Sequence, residues 1–221
     1  MAWRLLLFVW IAAALLGGFL WAPVVPALGD TTRILYFHIP CAWLIVVAFG
    51  WSFLHSVAFL VRRRLEHDDE AAAAAEVGIL FCVGAAVSGA LWAKAKWGTY
   101  WNWDPRETTI FFLFLIYGAY LALRSAIEGD EKRARLSAIY SVIAFVTVPF
   151  LIFVVPRLYA TLHPSPILPQ AGEKGAMDPR IVVCFTGMLV GFTGLFFWVT
   201  RLRVRLARLE RRREQEQVSA A

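Results

Sequence analysis

The sequence predicts an all-α integral membrane protein: a six transmembrane helix bundle with both termini cytoplasmic. Three observations carry that reading. Of 221 residues, 60% are hydrophobic and only 17% charged, and mean hydropathy is +0.62; soluble domains carry about 45–50% apolar and about 25% charged residues. Six continuous apolar runs divide the chain, and its cations crowd into alternate connecting segments. A water-soluble globule, a disordered chain and a nucleic-acid-binding protein are excluded. The net charge of +6 reads as topology rather than as an acidic partner.

The runs occupy residues 5–21, 41–61, 77–93, 108–123, 136–156 and 181–200, each 16 to 21 residues long. About 20 residues of helix cross a hydrocarbon core of roughly 30 Å. A backbone in lipid must satisfy its own hydrogen bonds, so such runs read as helices. The first run exceeds the usual signal-peptide core of about 7–15 residues and lacks a small-residue cleavage site, so it reads as an anchor. The chain thus forms one membrane domain, residues 1–221. Fifteen Lys and Arg fall in one set of segments, seven of them after Thr200, and seven in the other set. The positive-inside rule then places both termini in the cytoplasm. The tail over 201–221 reads as a helical extension and stop signal, with docking of a cytoplasmic subunit as the alternative. Segments 22–40, 94–107 and 157–180 face outward.

Cys41, Cys82 and Cys184 lie far apart in or beside apolar runs, with no CxxC or CxxCH. Thiol–disulfide exchange and covalent haem attachment to this chain are therefore not expected. Buried structural thiols are.

The second outward segment, WGTYWNWDPRE, is the most informative. Trp97, Tyr100, Trp101 and Trp103 fall within seven residues. Trp97 and Trp101 are four apart, so a short helix would put them on one face. An interfacial belt accounts for some of this, but the density exceeds what anchoring requires and suits a shelf for a flat apolar ligand. Asp104, Pro105, Arg106 and Glu107 read as N-cap, N1, N2 and N3 of the fourth helix, a capping box. On that reading Asp104 only starts a helix. Arg106 opposes the helix dipole, and serves either by snorkelling or by holding a ligand carboxylate.

Of four histidines, His67 falls in the RRRLEHDDE loop and reads as solvated. His55 falls in the second run and reads as a packing or hydrogen-bonding residue. His38 and His163 each lie just outside a run, on the side of the tryptophan segment. Neutral imidazole is a common haem-iron ligand, so together they are candidate paired axial ligands. Pro40 is placed to open the second helix and anchor His38. His163 precedes Pro164 and is expected to be the freer of the two.

At these residues the chain resembles the CcmC family, the haem-handling C protein of the system I cytochrome c maturation machinery, with its tryptophan-rich WWD signature. The resemblance covers nearly the whole chain. It implies haem b bound transiently at the periplasmic face of the bacterial inner membrane. It places axial ligation on His38, in RILYFHIP, and His163, in LYATLHPSP. The loop-one arginine falls on Arg33, and the WWD residues on Trp97, Trp101, Trp103, Asp104 and Arg106. It implies as partners a periplasmic haem chaperone (CcmE-like), an ATPase, a permease-like subunit and a small single-helix subunit. Glu107 departs from the family's usual apolar residue, and WDPRET is similar to the WDPKET of the system II synthase subunit. A system II haem-delivery subunit is therefore one alternative, and a small-molecule permease another. A cytochrome b-type carrier would need facing intramembrane histidines, and only His55 is intramembrane. The chain has no phosphate-binding glycine loop and no nucleophile–base pair, so no catalytic residue is assigned.

Overall fold

A computed structural model describes residues 2–26, 28–163 and 177–220. Among these residues the secondary structure is entirely helical: α1 (Ala2–Leu20), a 3-10 turn (Gly29–Ile34), α2 (Leu35–Arg62), α3 (Leu65–Trp97), α4 (Pro105–Ala126), α5 (Asp130–Pro149), a π-turn (Phe150–Val154), α6 (Val155–Leu158) and α7 (Pro179–Ala220). Six helical stretches are long and apolar enough to cross a membrane, with α5, the π-turn and α6 forming one of them. Pro164, placed after His163 in the sequence, lies outside the described residues.

The helices overrun their apolar cores because polar residues of high helix propensity extend them past the lipid. The 42 residues of α7 correspond to about 63 Å at 1.5 Å per residue, twice a hydrocarbon core. The second helix begins at Leu35, not at Pro40. Pro40 lies inside the helix, in its second turn, where it cannot donate to the Tyr36 carbonyl, and His38 is carried by the helix itself.

The core sits between α2 and its neighbours α3, α5 and α7. At the α2–α3 seam a Cβ on Gly78 would fall 2.5 Å from Phe49, so only glycine admits that approach. Phe49 stacks on Tyr117 of α4 at 3.4 Å between centroids. Helix α1 packs on α7 through Gly187, Gly191 and Gly194, which receive Ala14, Ile11 and Leu7. Close backbone approach of this kind is how helices associate in lipid, where burial adds little. Cys41, Cys82 and Cys184 are buried and unbonded, as expected.

The two ends of the bundle differ. One end, the arginine end, is laced by ion pairs. Asp68 takes both Arg124 Nη atoms at 2.6 and 2.9 Å. Arg208 and Arg211 meet Asp69, and Arg203 meets Glu76. These pairs strap the polar extension of α7 to α3. His67 is half-buried there rather than solvated, its Nδ1 3.4 Å from that of His55. The other end, the aromatic end, collects the segments around residues 22–26, 28–34, 98–104 and 159–163.

Candidate functional site

At the aromatic end a cavity of about 540 Å³ opens between α2, α3, α4 and the π-turn. Its volume falls within the range of about 300–1,000 Å³ common for small-molecule and cofactor sites. Ile39, Val83, Phe111, Phe114 and Phe153 supply apolar wall. His38, His163, Arg106, Glu107 and Arg157 supply the charged and titratable groups. The π-turn follows Pro149 and re-aims Ile152 and Phe153 toward the cavity; such bulges are frequent at functional sites.

His38 reaches the cavity from the first turn of α2. Its Nδ1 lies 3.0 Å from Ser88 Oγ. The Ser88 hydroxyl proton is already directed to the carbonyls of Gly84, at 2.6 Å, and Ala85, at 3.2 Å. Ser88 Oγ therefore accepts, Nδ1 carries the proton, and Nε2 keeps its lone pair. Gly89 makes room: a Cβ there would fall 3.0 Å from His38 Cε1.

His163 arrives from the segment after α6 and is held by Asp104. Asp104 does start α4, its Oδ1 accepting the N–H of Arg106 at 2.9 Å. It does far more. Its carboxylate also accepts the Leu162 N–H at 2.7 Å, the Thr161 hydroxyl at 2.9–3.0 Å and His163 Nδ1 at 2.9 Å. Burial would raise the Asp104 carboxyl, but these donors together outweigh it and hold it below the ordinary value. Burial lowers His163 below its ordinary value despite the neighbouring carboxylate, so the imidazole is neutral at pH 7. Facing an acceptor, Nδ1 is the protonated nitrogen, and Nε2 is again free. The ring also packs beside Trp92 and Trp97, at 5.7 and 5.2 Å between centroids. His163 is thus latched, not the loosely held residue that Pro164 suggested.

Four further expectations are corrected. Trp97 ends α3 at Gly98, whose φ of 82° suits glycine, and Trp101 lies in non-helical chain, so the two share no helix face. Trp97 backs His163, and Trp101 lines the cavity. Trp103 is 70% exposed and lies off the cavity, packed edge-on against Trp101. Glu107 Oε2 accepts the N–H of Asn102 rather than that of Asp104, so the capping box is not closed. Arg33 does not line the cavity; it donates to the carbonyls of Gly18 and Ala22 at 2.6 and 2.7 Å and so caps the end of α1.

Ser88, Trp92, Thr161 and Arg157 went unread in the sequence. Each sits in a stretch where a lone polar, charged or aromatic residue carries no signal.

The family model described as Heme exporter protein C, CcmC, matches residues 1–219. The chain belongs to the CcmC family. Among its relatives, Heme exporter protein C of Bradyrhizobium diazoefficiens is 33% identical over 185 residues, covering 83% of this chain and 69% of the relative. That of Rhodobacter capsulatus is 30% identical over 227 residues, 95% and 91% of the two chains. A ccmC-like mitochondrial protein of Marchantia polymorpha, named for cytochrome c biosynthesis, is 29% identical over 188 residues, 85% and 79%. Membership of CcmC makes the chain a multi-pass membrane protein of a haem-handling family in cytochrome c biogenesis. Glu107 does not remove it from that family.

Proposed function

We propose that this CcmC-family chain holds haem b transiently in the aromatic-end cavity, with iron between Nε2 of His38 and Nε2 of His163. The observation that carries the reading is the pair of histidines on one cavity, each with Nδ1 occupied and Nε2 free. A ligating histidine characteristically donates its other ring N–H to a carboxylate or neutral acceptor, which fixes tautomer and orientation. Trp92 and Trp101 border the macrocycle, while Trp97 and Asp104 act by placing His163. Arg33 acts through the end of α1.

The aromatic end faces the periplasm in the bacterial inner membrane, with both termini cytoplasmic, consistent with the fifteen-to-seven division of cations. From there the haem passes to a periplasmic haem chaperone of the CcmE type. The assembly includes an ATPase, a permease-like subunit and a small single-helix subunit; any ATP hydrolysis belongs to the ATPase. Release at the His163 side requires opening the Asp104 latch, since residues 161–163 are tied to that one carboxylate.

The test is the absorption spectrum of the purified, haem-loaded chain. His38→Gly and His163→Gly should each change it, with at least partial restoration by free imidazole, while His55→Gly leaves it unaltered. Unchanged spectra in both cavity variants would refute axial ligation.

A further inference from the structure

Arg106 and Arg157 line the same cavity, from the first turn of α4 and the last turn of α6. Two cations so placed ordinarily share a carboxylate, and here neither forms an ion pair among the described residues. Asp104 is nearby, but its oxygens are taken by Arg106 N, Leu162 N, Thr161 and His163. Glu107 also lines the cavity; one of its oxygens holds the Asn102 N–H and the other is buried with no partner. Two guanidinium side chains thus line a largely apolar cavity without an ion-pair partner among the described residues. Arg106 further opposes the N-terminal dipole of α4. Arg157 directs one Nη to the Phe153 carbonyl of the π-turn, and a guanidinium has five N–H donors, so that bond takes only one of them.

We propose that Arg106 and Arg157 form a two-point carboxylate clamp, each taking one propionate of the macrocycle, so that the cavity selects a tetrapyrrole bearing two free acids. The inference rests on the haem reading above and adds to it a second cation and a ligand specificity. Arginine suits the task because its fork matches a carboxylate in geometry as well as in charge. One carboxylate fixes a point, and two fix the in-plane rotation of the ring, which determines the edge a receiving protein meets.

The experiment titrates the full-length chain, purified without haem in detergent, with ferric haem and with its dimethyl ester, followed in the Soret band. The wild type should bind the diacid more tightly than the diester. Arg157→Gln should weaken diacid binding about fivefold, the upper range for an exposed ion pair, and leave diester binding unchanged. Arg157→Lys should recover part of the loss, and Arg106→Gln should behave like Arg157→Gln. Equal affinity of the wild type for acid and ester would overturn the clamp and leave the two cations to lipid phosphates. Equal losses for both ligands in Arg157→Gln, or none for either, would also overturn it. Failure of the haem reading is separable: His38→Gly and His163→Gly would then leave the Soret band of bound haem unchanged, whatever the arginines do.

Discussion

Replacing Asp104 with Asn tests the site most sharply, because the change is nearly isosteric. Asp104 is 4% exposed and accepts from four groups. An amide keeps one acceptor oxygen and turns the other into a donor. If its oxygen takes the place of Oδ1, the bonds to Arg106 N and His163 Nδ1 survive, while the NH2 faces the Leu162 N–H. A hydrogen bond to a charged group is worth about 1.5–3 kcal/mol, so the equilibrium constant for latching falls by about ten- to a hundredfold. The bond to His163 Nδ1 also loses its anionic acceptor, making Nε2 a weaker donor to iron. Helix α4 should survive, since Asn is an adequate N-cap. The assay is haem retention and Soret position of membrane-inserted protein after detergent extraction. Asp104→Asn should lose more haem than Trp103→Ala, whose ring lies off the cavity, and free imidazole should partly restore the spectrum. Wild-type retention and spectrum in Asp104→Asn, with loss in Trp103→Ala, would refute the latch.

Acidification should loosen the same latch. Asp104 and His163 both sit below their ordinary values of 3.8 and 6.5, so at acid pH the unfolded segment binds more protons than the folded one, and stability falls as pH falls. The His163 contribution is present above pH 6.5 and the Asp104 contribution above pH 3.8; each is lost as pH drops through the lowered value. Hydrogen-exchange protection of residues 161–163, corrected for intrinsic rate, should decline from pH 7 downward, and a rise would contradict the assignment. At the arginine end, Asp68→Ala strands the Arg124 guanidinium, whose side chain is 14% exposed. Removing one partner of a buried pair costs about 3–5 kcal/mol, so the thermal unfolding midpoint should drop clearly, and Asp68→Leu with Arg124→Leu should recover much of it. Reporter fusions after residues 35 and 100 should be active outside the cytoplasm only, and those after 68 and 130 inside only; cytoplasmic activity at residue 100 would reverse the topology.

Six membrane-crossing helices were legible in the sequence because crossing lipid is a local requirement. A run of apolar residues of sufficient length satisfies it whatever the rest of the chain does. The grouping of His38, the tryptophan segment and His163 at one end was legible for the same reason, since each span reverses the chain's direction. Contacts between elements were not. That Asp104 reaches residues 161–163, more than fifty positions away, depends on how α4 and α6 pack, and local sequence shows only the N-cap. Pro164 argued for freedom at His163, and one buried carboxylate outweighs it. Arg33 and Arg106 look alike as lone cations near helix ends, yet one meets the carbonyls that close α1 and the other a cavity. Ser88 reads as an ordinary residue of an apolar helix until α2 lies beside it and His38 turns Nδ1 toward its oxygen. Run length and residue type determined the spans and the grouping of the aromatic segment with the two histidines. Helix packing alone decided which nitrogens are free, which rings form walls and which charges lack a partner, because those properties depend on distances between segments remote in the chain.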